Sequence, residues 1–122
     1  MKLRTADTLF SQYVRQRDKW TCQRCHTTYQ PPTQALHNSH YWGRSHECTR
    51  FEPDNCIALC YGCHKLWGHG DERDQYKAFM IKKLGEKRFQ SLMLQANDGR
   101  KKCKDDKMTI FILKQLLNDQ ST

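Results

Sequence analysis

The chain lacks any apolar run approaching the roughly 20 residues that a membrane-spanning helix needs. Its opening stretch, MKLRTADTLF, lacks the long apolar segment of a secretory signal. These two absences set the expectation of a cytosolic protein with no membrane partner. Internal repeats are missing too, so a repeat architecture is excluded. Acidic residues are in short supply: 13 Asp and Glu face 21 Lys and Arg, a formal charge of +8. That surplus fits a polyanionic partner, nucleic acid first, and fits simple solubility equally well. With 122 residues, 37% of them hydrophobic and 28% charged, the chain has the composition of a folded domain rather than of a disordered segment.

What the chain does have is cysteine, seven in all. Without a secretory signal, an odd set of thiols argues against a disulfide framework. Two pairs stand at CxxC spacing, Cys22-Gln-Arg-Cys25 and Cys60-Tyr-Gly-Cys63. Such turns aim both sulfurs at one point, and two of them complete the tetrahedron of soft ligands that Zn²⁺ favours. The reading is a structural zinc held by Cys22, Cys25, Cys60 and Cys63. Two redox motifs would instead need a thioredoxin-like βαβ pattern, which is absent. Cys48, Cys56 and Cys103 form no second tetrad and are read as unligated, although Cys56 stands close enough in sequence to compete for the zinc.

Periodicity places helices at both ends. Residues 5–20 read as a helix with Thr5 as cap, Leu9, Tyr13 and Val14 on one face, and a basic face of Arg15, Arg17 and Lys19, either solvated or touching nucleic acid. Residues 35–42 read as a strand, CIALC at 56–60 as a short apolar strand or turn, and 43–55 as a long loop. A short helix after Cys63 is broken by Gly68 and Gly70. Helices follow at 71–85, with Tyr76, Phe79, Met80 and Leu84 inward and Gly85 as terminator, and at 86–97, with Phe89, Leu92 and Met93 inward. Residues 98–107 are a charged linker. The apolar helix 108–119 either packs on the domain or pairs with a second copy in a homodimer. The domain boundary is placed between 97 and 98.

Residues 26–59, between the two knuckles, exceed a zinc-ribbon spacing and carry His37, His40 and His46, with Asn55 near their end and His64 just beyond Cys63. Histidine, then asparagine, then histidine, threaded through two knuckles, resembles the HNH nuclease pattern. Its second half here reads Asn55-Cys56-Ile57-Ala58-Leu59-Cys60-Tyr61-Gly62-Cys63-His64. The stretches ADTLFSQYVRQRD, SHYWGRSHECTRFEPDN and YKAFMIKKLGEKRFQSL resemble the phage recombination proteins of the NinG/Rap family over residues 6–97, with the tail outside the likeness.

That resemblance implies an α+β fold: a small zinc-stapled ββα-metal core with flanking N- and C-terminal helices. It implies a DNA endonuclease of phage or prophage origin acting in the bacterial cytoplasm, on double-stranded or branched recombination-intermediate DNA. It assigns His40 as general base, His64 as ligand of a catalytic Mg²⁺ or Mn²⁺, and Asn55 as the residue pinning the loop that carries the base. The chemistry is apt, since a neutral imidazole takes a proton near pH 7 and a divalent ion neutralises phosphate charge.

The chain also departs from the pattern. Many HNH enzymes carry an acidic ligand directly before the base, where this chain has Ser39, a poor ligand. NinG-like chains commonly carry Asp three residues before it, where this chain has His37. His37 is therefore the expected replacement ligand, with His69 as rival. An all-imidazole site favours Mn²⁺, Ni²⁺ or Zn²⁺ over Mg²⁺. Arg44, Arg50 and Lys65 flank the site as DNA-backbone contacts, or, for the two arginines, as partners of Glu47, Glu52 or Asp54. Tyr41 and Trp42 pack in the core or stack on a splayed base, the core being the better fit. The alternative to an enzyme is a non-catalytic zinc-stabilised module that only binds nucleic acid, or an accessory partner in a recombination complex.

Overall fold

A computed structural model describes residues 2–99 and 103–121. It is an α+β fold: one two-stranded antiparallel sheet held between helices. In chain order the elements are α1 (Thr5–Arg17), β1 (Leu36–His40), α2 (Glu47–Arg50), a 3₁₀ turn (Pro53–Asn55), β2 (Cys56–Cys60), α3 (Tyr61–Gly68), α4 (Arg73–Leu84), α5 (Glu86–Ala96) and α6 (Asp106–Ser121). The expected 43–55 loop thus contains a helical turn and a 3₁₀ turn. None of the described helices is long and apolar enough to cross a membrane.

Helix α1 starts without help from Thr5. Asp7 instead reaches back to accept the Arg4 backbone N–H at 2.8 Å, satisfying one of the donors that a helix start leaves open. The helix stops at Arg17 because Lys19 and Trp20 adopt left-handed backbone angles, each at φ 56°. Its buried face is Ala6, Phe10 and Val14, with Leu9 and Tyr13 at the margin. Two of the three basic residues are structural: Arg15 donates to the Thr33 carbonyl at 2.9 Å, and Arg17 to the Pro53 and Cys56 carbonyls at 2.8 and 2.6 Å, while Lys19 is exposed.

β1 and β2 pair with His37 opposite Leu59, Asn38 opposite Ala58, Ser39 opposite Ile57 and His40 opposite Cys56. CIALC is buried from Cys56 through Leu59 because apolar layers cover the strand on both sides. Ala6, Phe10, Val14, Cys56 and Leu113 form one cluster; Ile57, Ala58, Leu59, Tyr76, Met80 and Phe89 belong to the other. The outward backbone groups of β2 are taken as well. Ala58 donates its N–H to Asp18 Oδ2 at 2.8 Å and accepts from the Gln23 N–H at 2.9 Å, while Arg17 holds the Cys56 carbonyl.

α6 lies against α1, with Leu113 in the α1 cluster. Residues 100–102 of the expected linker lie outside the described residues. Cys48 and Cys103 are not solitary thiols: they form a disulfide joining α2 to the segment that leads into α6. Cys56 alone of the three stands unligated, and burial pushes its thiol pKa well above the ordinary value.

Gly85 separates α4 from α5 at φ 84° and ψ 152°, and its N–H closes α4 on the Ile81 carbonyl at 2.8 Å. Only glycine holds that conformation without strain, which for other residues costs about 1–3 kcal/mol. No atom crowds the position, so backbone strain is the whole effect. Gly85→Ala is expected to lower the unfolding free energy by that amount, with the denaturant m value unchanged; a wild-type denaturation midpoint would refute the assignment.

Candidate functional site

The two CxxC turns meet. One sulfur from each of Cys22, Cys25, Cys60 and Cys63 lies within 4.8 Å of the others, and Cys25 and Cys60 Sγ are 3.8 Å apart. Sulfurs sharing a tetrahedral Zn²⁺ at about 2.3 Å stand about 3.8 Å apart, so this donor set fits a structural zinc. The surroundings suit thiolates. The Arg24 guanidinium lies 3.4 Å from Cys63 Sγ and is anchored by Glu72 at 3.0 Å, and the Cys25 N–H points at Cys22 Sγ at 3.5 Å. Hydrogen bonds with Thr27 hold the Cys25 thiol down at about 6, whereas burial pushes Cys63 up to about 12. Filling the cluster with metal therefore requires a proton to leave Cys63.

β1 runs from this cluster into a cleft of about 650 Å³, whose walls include His37, Asn38, His40, Arg44, His64 and His69. Side chains alternate along a strand, so Asn38 and His40 share the side that faces the cleft. Ser39 takes the other side, is fully buried, and hydrogen-bonds the Tyr76 hydroxyl at 3.0 Å. Ser39 is thus unavailable as a ligand, because its hydroxyl is buried and taken by Tyr76.

His40 closes β1 with its ring 5.9 Å from Phe10, and Nε2 lies 2.8 Å from the Arg50 carbonyl. A carbonyl only accepts, so the neutral ring carries its proton on Nε2 and leaves Nδ1 with the lone pair. Burial, reinforced by the nearby Arg44 charge, lowers the His40 pKa below the ordinary value. His40 is therefore neutral at pH 7 and able to accept a proton.

His64 sits on the first turn of α3, directly after Cys63. Its ring stacks on His37 at 5.4 Å and meets His69 edge-on at 5.1 Å. Burial and then the neighbouring imidazoles bring its pKa down to about 4. Gly68 gives the ring its space: a Cβ there would stand 3.2 Å from His64 Cε1 and 3.3 Å from Nδ1. Two polar atoms of this cleft are enclosed with no hydrogen-bond partner, His64 Nδ1 and Asn38 Oδ1. Orphaned atoms are rare in folded proteins. The three rings do not by themselves bring ligand nitrogens within 4.8 Å of one another.

Asn55 is fully buried and holds the loop that follows His40. Its Oδ1 accepts the Trp42 N–H at 2.9 Å, and its Nδ2 donates to the Trp42 and Thr49 carbonyls at 2.8 and 3.1 Å. Tyr41 and Trp42 are core residues here. Tyr41 packs edge-on against Tyr76 and Phe89, Trp42 packs on Phe89, and Arg73 lies over the Tyr41 ring and donates to its carbonyl.

The three basic residues expected to grip DNA separate. Arg44 lines the cleft, and Lys65 is exposed on α3 outside its walls. Arg50 is not available: it is 4% exposed and paired with Asp7 at 2.5 and 3.0 Å. Burial pushes the Asp7 pKa up, but hydrogen bonds from Arg50 and the Arg4 N–H outweigh it and leave the carboxylate below its ordinary value. The partner is neither Glu47, Glu52 nor Asp54. Asp7 stands 43 residues away on α1, where no local pattern reveals it. The enclosed Asn38 was also missed, although the two-residue period that selects His40 selects it as well.

A model of the family described as NinG, the bacteriophage lambda NinG protein, matches residues 3–120. The likeness therefore extends past residue 97 through most of α6. No curated protein and no solved structure matches the chain.

Stripping the metal with a chelator, or replacing Cys60 with Ser, is expected to abolish the cooperative melting transition, because binding and folding are coupled in such clusters. A Cys60→Ser protein with one zinc per chain and a wild-type Tm would refute the cluster. Arg50→Ala is expected to cost about 3–5 kcal/mol in chemical denaturation, since it strands a buried carboxylate. Arg44→Ala should leave stability within about 0.5 kcal/mol. Equal stability of the two variants would show that Arg50 is not structural.

Proposed function

The chain belongs to the family of the bacteriophage lambda NinG protein, and from that premise we propose that it is a metal-dependent DNA endonuclease with a ββα-metal (HNH) core formed by β1, β2 and α3. The family supports a phage recombination-related role, and with it branched or recombination-intermediate DNA as the substrate. The observation that carries the reading is the arrangement of His40 in the cleft. Its Nε2 is committed to the Arg50 carbonyl, its Nδ1 is free to take a proton, and His37, His64 and His69 stand in the same cleft.

In this reading His40 Nδ1 accepts the proton of the attacking water, and burial keeps the ring neutral for the task. His64, with His37 or His69, binds a divalent ion, Mg²⁺ or Mn²⁺, whose Lewis acidity stabilises charge on the phosphate and the leaving oxygen. Asn55 fixes the loop after His40 through its three hydrogen bonds. Arg44, at the cleft wall, meets the DNA backbone, and Lys65 extends the contact along α3. The cysteine cluster binds zinc as a structural element and takes no part in the reaction.

The competing reading is a zinc-stabilised module that binds nucleic acid without cutting it. It needs the cysteine cluster and the +8 charge but has no use for a neutral, oriented His40. Supercoiled plasmid and a four-way junction, each incubated with Mg²⁺ or Mn²⁺, separate the two. Wild type is expected to cut at least one, and His40→Ala, folded though with a lower Tm from the lost Phe10 and Arg50 contacts, to cut about 10²–10⁴-fold more slowly with unchanged DNA affinity. Affinity itself should fall steeply with salt, as phosphate contacts dominate. Absence of cutting on both substrates with every metal would sink the nuclease reading, and full activity of His40→Ala would remove His40 as base.

A further inference from the structure

Among the enclosed polar atoms, Asn38 Oδ1 stands apart. It lies on β1 two residues before His40 and one after His37, in the wall of the cleft, and it has no hydrogen-bond partner. A structural asparagine in this chain looks different: Asn55, fully buried where Asn38 is half-buried, uses both ends of its amide. A carboxamide oxygen buried without a donor is unstable unless something electropositive meets it. Among the groups it shares the cleft with are four imidazoles, and one of them, His64, offers an equally unpartnered Nδ1. Arg44 also lines the cleft, but no hydrogen bond joins it to Asn38 among the described contacts.

We infer that Asn38 supplies an oxygen ligand to the divalent ion held by His64, in place of the acidic ligand that Ser39 cannot provide. This rests on the metal-binding part of the proposed function. The shared cleft carries it: Asn38 lines the same walls as His37, His64 and His69 with its Oδ1 unpartnered, whereas Ser39 is committed to Tyr76. An amide oxygen among imidazoles also shifts the preference of the site. Imidazole alone suits Zn²⁺ and Ni²⁺, whereas carbonyl oxygen suits Mg²⁺ and Mn²⁺. The ion selected is one with mixed nitrogen and oxygen ligation, Mn²⁺ foremost. Asn38 is thus the residue that would keep zinc in the cysteine cluster and out of the cleft.

The test is Mn²⁺ titration of the zinc-loaded full chain, followed by calorimetry and by the electron paramagnetic resonance signal of free Mn²⁺. Asn38→Ala is expected to weaken Mn²⁺ binding about 10-fold or more with zinc content and Tm unchanged. Asn38→Asp, which keeps the oxygen and adds charge, should bind Mn²⁺ at least as tightly as wild type. Zn²⁺ should compete better in the Ala variant than in wild type. Wild-type Mn²⁺ affinity in Asn38→Ala, with binding lost in His64→Ala, overturns the role of Asn38 and leaves the metal site standing. A wild-type chain that binds no Mn²⁺ overturns the inference and the metal site together, and the cutting assay then judges hydrolysis on its own.

Discussion

The buried ion pair between Asp7 and Arg50 is the constraint on which the cleft depends. Asp7 starts α1 by taking the Arg4 N–H and, with the same carboxylate, fixes Arg50 at the end of α2. The Arg50 carbonyl in turn holds His40 Nε2, and the neighbouring Thr49 carbonyl receives Asn55. An acid at a helix start thus sets, through two links, which nitrogen of a distant imidazole carries the proton. A buried pair of this kind is seldom a large source of net stability. Here its value lies in direction, because it leaves α1 and α2 a single way to meet.

The cysteine cluster imposes a second restraint, independent of the first. Cys60 ends β2 and Cys63 lies in the first turn of α3, so sulfurs gathered at one point set the angle between strand and helix. His64 follows Cys63 directly and inherits that position. The other wall of the cleft is held by α1, α2 and the Asp7 pair. The site lies where two separately anchored halves meet, and residues 26–59 connect them. The Cys48–Cys103 disulfide extends the anchoring outward by tying α2 to the approach of α6.

Much of this was legible in the residues. Periodicity located all of the longer helices and both strands, because apolar stripes such as Tyr76–Met80 and an unbroken run such as CIALC have few other ways to be buried. The spacing of Cys22, Cys25, Cys60 and Cys63 announced their convergence, and of the three residues singled out around them His40 and His64 line the cleft while Asn55 is buried behind it. What escaped was long-range pairing. The Asp7–Arg50 contact and the Cys48–Cys103 bond join segments 43 and 55 residues apart, and nothing local in either segment points to the other. Arg50 resembled a surface cation because sequence reports charge and not burial. The partner of α6 was open for the same reason: its apolar residues suit either the domain or a second copy, and only the packing shows Leu113 in the α1 cluster.

β2 has a further property that follows from its side-chain neighbours. A two-stranded sheet ordinarily exposes rows of unpaired N–H and C=O groups to any passing strand. Arg17, Asp18 and Gln23 occupy the outward groups of Cys56 and Ala58, so this edge offers no template for a third strand. An apolar strand of sequence CIALC, exposed on one edge, would invite self-association during folding. The turn after α1 works as a chaperone built into the chain: the residues that finish the helix also seal the most aggregation-prone segment of the molecule.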